Sequence, residues 1–263
     1  MRLPFFSNRA GLILSLSLGL ACHALAEEVE VKLVVNEARI ADALRKFTND
    51  KRGEERNIYF LETDDMELSR RGIILRLRET PGKRDESTVK LRGEEAALLP
   101  DAEFPVINSN GEESKAEKDR VIGGREARSF SITAKQQEGE VAELRKGQRE
   151  LKELLSKQQE KFLNKYGRGV DWQKARLLGP VKAEKWELSP NGFSHELTAE
   201  LWLLPGCDQD QMLEFSTKVD ESDAAEAETD LLDLMKKAQI GLARSPESKT
   251  QTVLKCLLKK TAP

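Results

Sequence analysis

The chain has 263 residues, enough for one large domain or two small ones, and it is polar, with 34% charged and 5% aromatic residues. Lys+Arg 43 against Asp+Glu 46 leave a formal net charge of -3, so bulk charge gives no reason to expect a nucleic-acid partner. Only two histidines are present. One, His23, falls in the leader described next, which leaves His195 alone and argues against a histidine triad or a histidine-ligated metal.

The first 26 residues read as a signal peptide. Arg2 and Arg9 give a positive start, Gly11 to Leu20 is an apolar run too short to span comfortably, and Ala24-Leu25-Ala26 ends in the small residues that signal peptidase cuts. Cleavage after Ala26 leaves an exported protein, periplasmic or secreted, with no stable membrane span. Retention as an anchor, or lipidation at Cys22, is the lesser alternative. Cys207 and Cys256 then remain, either as a disulfide or as two separate small buried residues.

In the mature chain, Glu28 to Leu33 alternates charged and apolar residues, as a strand does. Asn36 caps a helical pattern carrying Ile40, Leu44 and Phe47 up to Thr48. Lys51 to Glu55 reads as a charged loop, Asn57 to Leu61 as a strand and Asp64 to Arg71 as a turn or short helix. Gly72 opens the strand Ile73 to Arg78, Pro81-Gly82 turns, and Thr88 to Arg92 returns. A loop spans Asn108 to Gly111, and shorter strands follow at Ala116–Val121 and Ala127–Thr133. Gln136 to Tyr166 reads as one long helix with a stripe of Val141, Leu144, Leu151, Leu155 and Phe162, although Gly139 and Gly147 weaken it. Strands resume at Pro180–Trp186, His195–Leu201 and Leu213–Val219, and helical patterns close the chain at Ser222–Ile240 and within Ser245–Lys260. No repeat or low-complexity linker divides this stretch, so 27–263 is expected to be one domain with a helical insertion at about 136–166.

Alternation alone describes any sheet with one wet face. The distribution of sign is more specific. Glu28 and Glu30 are acidic, Arg76 and Arg78 basic, Lys90 and Arg92 basic, and Glu196 and Glu200 acidic. Like charges two apart on one strand face, as in the first three pairs, repel, and stability gives no reason to choose them. A polyanion with a divalent metal would: arginine forks match phosphate oxygens, and carboxylates suit Mg²⁺ or Mn²⁺.

Glu28-x-Glu30-x-Lys32, then Leu75-Arg76-Leu77-Arg78, then Thr88-Val89-Lys90-Leu91-Arg92-Gly93 resembles the CYTH, or triphosphate tunnel metalloenzyme, superfamily. The resemblance implies an α+β fold: an eight-stranded antiparallel β-barrel with a polar interior, outer helices and one long helical insertion. It implies that Glu28, Glu30, Glu200 and Glu214 hold Mg²⁺ or Mn²⁺. Lys32, Arg76, Arg78, Lys90, Arg92, Lys182 and Lys249 would grip the substrate, and Glu28, Glu30, Lys32 and Glu200 would form the catalytic set. Glu117 and Asp119 match a strand acid found in part of the superfamily. Ser216 departs from the pattern, standing where many members carry another acid. The implied activity is metal-dependent hydrolysis of inorganic tripolyphosphate or a nucleoside triphosphate. A non-catalytic exported polyphosphate-binding module and an adenylate cyclase are the competing readings.

Overall fold

The computed structural model describes residues 28–93, 104–109, 111–167, 170–244 and 248–261. The expected signal peptide and Cys22 lie outside them. The strands are β1 (Glu28–Val34), β2 (Glu54–Glu62), β3 (Ile73–Glu79), β4 (Glu86–Arg92), β5 (Asn108–Ser109), β6 (Glu112–Val121), β7 (Glu126–Lys135), β8 (Arg176–Leu188), β9 (Leu197–Leu203) and β10 (Gln211–Asp220). The helices are α1 (Ile40–Thr48), α2 (Glu67–Arg70), α3 (Glu140–Arg145), α4 (Lys157–Tyr166), α5 (Ala224–Lys237) and α6 (Lys249–Thr261).

Nine strands close into a ring in the order β1-β10-β9-β8-β2-β3-β4-β7-β6, and β6 pairs back onto β1. The expected barrel is therefore present but corrected in two respects. It has nine strands instead of eight, and the closing pair β1–β6 is parallel while the other pairs in the ring are antiparallel. The two-residue β5 adds to the start of β6. Closure leaves no long open edge, which a twisted sheet of this size would otherwise have to protect.

Residues directly opposite across a ladder share a face. Tracing that rule round the ring puts Val29, Val31 and Leu33 outside, in one layer with Leu201, Leu213 and Phe215 under α1 and α5. A second outer layer holds Leu75, Leu77, Val89, Phe130 and Ile132 beneath α3 and α4. The expected single helix over 136–166 is two short helices with a 3-10 turn, Leu151–Leu154, between them. The reason is local. Gly139, at φ 92°, holds the chain out of helix before the first segment starts, Gly147, at φ 70°, follows its end, and a capping box at Ser156 and Gln159 starts the next.

The inner face is polar over most of its length but not all of it. Val34, Ile58, Phe60, Trp202 and Met212 point inward at one end, where Val253 and Leu254 of α6 pack on them and close the cylinder. A disulfide between Cys207, in the β9–β10 loop, and Cys256 fastens α6 there, with Cα atoms 5.6 Å apart.

Candidate functional site

The first link from sequence to site is register. Gly72, at φ +70°, accepts a hydrogen bond from the Arg92 amide (2.8 Å), and a Cβ there would collide with the Arg92 carbonyl. Only glycine lets the chain approach so closely. This fixes β3 against β4, with Arg76 opposite Thr88 and Ile74 opposite Lys90, so Arg76, Arg78, Lys90 and Arg92 share the inner face. Through β7 and β6 the same face continues to Glu117 and Asp119, and across the closing pair Glu28 stands beside Glu117 and Glu30 beside Asp119.

Two charge clusters result. In the first, the Lys32 ammonium lies 2.8 Å from both Glu30 and Asp119. Arg92 reaches Asp119 at 3.1 Å, Lys90 reaches Glu117 at 3.2 Å, and Lys218 also holds Glu117. The Asp119 side chain is 0% exposed. Burial alone would raise its pKa, but Lys32, Lys90 and Arg92 outweigh that and hold it far below the usual carboxylate range. Glu117, likewise buried, is brought down to about 2 by Lys90 and Lys218. Burial would lower Lys32, yet Glu30 and Asp119 keep it well above an ordinary lysine.

The second cluster lies on β9, β10, β2 and β3. Glu200 and Glu214 face each other across the hairpin, and the Lys249 ammonium bonds both, Glu214 at 2.9 Å. Arg56 comes within 3.8 Å of Glu200, and Arg78 pairs with Glu86 at 2.8 Å. Against its burial, Lys249, Arg78 and Arg76 lower Glu200 to about 2. Arg76 differs from its neighbours. It has no ion pair or hydrogen bond with its side chain among the described residues, and burial together with Arg78 lowers its pKa to about 10.

Of the expected site residues, the barrel brings together Glu28, Glu30, Lys32, Arg76, Arg78, Lys90, Arg92, Glu200, Glu214 and Lys249 on the inner face or at its edge. Lys182 is not among them. It sits opposite Asn57 and Leu203 on the outer face and is exposed, while its neighbours Val181 and Ala183 point in. Pattern reading missed Arg56 because it falls between the charged stretch Lys51 to Glu55, which reads as loop, and the strand expected from Asn57, whereas β2 starts at Glu54. Its alternation becomes legible only once Arg56 is seen opposite the inward Ala183. Glu196 precedes β9 and does not join Glu200 in the ladder.

No protein-family model matches the sequence, and no curated protein does. Solved structures do. One is described as a "putative adenylate cyclase" from Bacillus halodurans, at 12% identity and a TM-score of 0.55, covering 86% of this chain and 96% of that one. Another, from Hippeastrum, is described as a "putative adenylyl cyclase" with a dominant triphosphatase activity; identity is 15%, the TM-score 0.57, and coverage 87% of this chain and 95% of that one. The chain shares its fold with these two structures. At such identity the likeness speaks to the fold, and the tunnel's chemistry has to come from its own residues.

For a hard cation, those residues divide. Glu28 and Glu30 have side chains 47% and 16% exposed, and among the described residues the ion pair of Glu28 is with Lys218, at 3.8 Å. Mg²⁺ is commonly bound by one or two carboxylates plus substrate phosphates, and this pair suits that mode. No group of three acids, histidines or cysteines converges on an ion position among the described residues. Glu200 and Glu214 suit a metal less well, because one ammonium bonds both of them, whereas Lys32 bonds Glu30 and leaves Glu28 outside that contact. Among the described residues no helix is long and apolar enough to cross a membrane.

Proposed function

We propose that the tunnel binds and hydrolyses a triphosphate, inorganic tripolyphosphate or a nucleoside triphosphate, with Mg²⁺ or Mn²⁺ held by Glu28 and Glu30. The observation that carries this reading is Arg76, a guanidinium on the inner face with no ion pair among the described residues, beside a second guanidinium, Arg78. A half-buried cation without an ion-pair partner costs stability unless an anion arrives to meet it. Lys32, Lys90 and Arg92 continue the same wall.

Phosphoryl transfer spreads charge over the equatorial oxygens of a loose transition state, so positioning and electrostatics supply most of the catalysis. Arg76 and Arg78 offer forks to those oxygens, and Lys32, Lys90 and Arg92 add fixed positive charge with little reorganisation, because Asp119 and Glu117 already hold three of them in place. When bound, the metal neutralises phosphate charge. Glu200, lowered to about 2, is a poor proton acceptor at neutral pH, so its role is to orient water rather than to remove a proton. The expected leader and the Cys207–Cys256 disulfide both support export to the periplasm or beyond the cell.

The test is phosphate release from tripolyphosphate, pyrophosphate and ATP with each metal. Glu30→Gln is expected to lower kcat roughly 10²-fold or more with the fold retained. Unchanged turnover in that variant would defeat the assignment. The second reading, a binding module without turnover, draws on the pairing of nearly every carboxylate with a cation; tight tripolyphosphate binding with no phosphate released by either metal would decide for it. Cyclic AMP as the product from ATP would decide for cyclase chemistry.

A further inference from the structure

Glu200 and Glu214 occupy directly opposite positions of the β9–β10 hairpin, two like charges facing one another inside the barrel. Placed so, they call for a cation. The protein supplies one itself: the Lys249 ammonium bonds both carboxylates, its side chain 13% exposed, and lies 4.6 Å from the centre of the Trp202 ring. Lys249 is the first residue of α6, where the helix dipole disfavours a cation. Helix stability therefore does not explain the choice of lysine, but the two glutamates do. Ser216, the next inward position after Glu214, adds no further carboxylate that could leave room for both an ammonium and a metal. The disulfide ties the loop joining β9 to β10 to the helix that delivers the lysine.

We infer that Lys249 is a built-in substitute for a metal ion at the far wall of the tunnel, so that Glu200 and Glu214 hold a lysine and any divalent ion binds elsewhere. Lys249 is on this account a positioning residue. It holds both carboxylates in place, and it leaves the wall's charge independent of metal supply. The inference draws on the proposed function only in placing any metal at Glu28 and Glu30.

Counting Mn²⁺ bound to the mature, disulfide-intact protein by electron paramagnetic resonance tests this without reference to turnover. Glu214→Gln in the otherwise unaltered chain is expected to leave the Mn²⁺ count unchanged. Lys249→Met is expected to raise it by one, Lys249→Arg to leave it as in the parent, and Lys249→Met with Glu214→Gln to return it to the parent value. A count lowered by one in Glu214→Gln overturns the inference, as does a folded Lys249→Met protein that gains no ion. Should Lys249→Met not fold, the Glu214→Gln comparison decides alone. If Glu28 and Glu30 bind nothing, the parent count is zero and the gain in Lys249→Met is still read, so failure of the functional reading and failure of this one are separable.

Discussion

Arg76 is a cost to the fold that no ion pair among the described residues offsets. Half-buried beside Arg78 and with its pKa lowered to about 10, it repels its neighbour, and Glu200, Glu86 and Glu117 compensate only in part and without contact. Arg76→Met should therefore leave the thermal midpoint unchanged or raise it, while weakening tripolyphosphate binding. Loss of a charged hydrogen bond is worth about 1.5–3 kcal/mol, or roughly 10- to 100-fold in affinity. Differential scanning calorimetry beside titration calorimetry checks both halves; a lower midpoint with unaltered binding would make Arg76 an ordinary structural residue. Asp119 is the opposite case. Fully buried against Lys32 and Arg92, it cannot be neutralised without stranding them. Asp119→Asn should cost about 3–5 kcal/mol in a urea titration, the range for breaking a buried pair. The pH dependence follows from the same carboxylates. Glu117 and Glu200 are depressed to about 2, so their contribution is complete above the unfolded value of 4.5 and is lost as pH falls from there towards 2. Melting temperature measured across that window should fall steeply. A flat profile would mean these pairs contribute nothing.

At the scale of elements, α6 and the β9–β10 hairpin form one unit because Cys207 and Cys256, 49 residues apart, are joined. Replacing both cysteines by serine should lower stability by about 2–4 kcal/mol on the loop-entropy account, read from denaturant midpoints of oxidised parent and variant. The strands with single-signed charge were legible in sequence, since Arg76-x-Arg78 and Lys90-x-Arg92 alternate against Leu75, Leu77, Val89 and Leu91 without interruption. Two elements were not. The 136–166 segment keeps a helical apolar stripe, but Gly139 and Gly147 at positive φ break it, and a stripe records which residues are buried, not whether the backbone runs on. In β8 the inward set is fixed by pairing: Glu62 to Phe60 meet Arg176 to Leu178, and the register then shifts before Ile58 meets Val181. No counting along the sequence locates such a shift, and the expectation that Lys182 lies inside rests on resemblance; the strand instead turns its apolar Val181 and Ala183 inward at this end of the barrel.

For the whole molecule, the barrel places cations contributed by β1, β3 and β4 along one inner wall, and α6 with its apolar residues seals one end. The cylinder itself was inferable, through resemblance, from a few ordered charge pairs. Its strand number and its parallel closure were not, because strand count depends on how β1 meets β6, a contact between segments some ninety positions apart in the chain. Closure is also what brings Asp119 beside Glu30 and makes the first cluster. The account stands on those inward cations serving an incoming polyphosphate instead of only the protein's own carboxylates. Titration calorimetry of the mature protein with tripolyphosphate tests that most directly. Saturable binding of one equivalent is predicted, weakened about tenfold or more by Arg76→Met; no binding, or the same affinity in the variant, would contradict it.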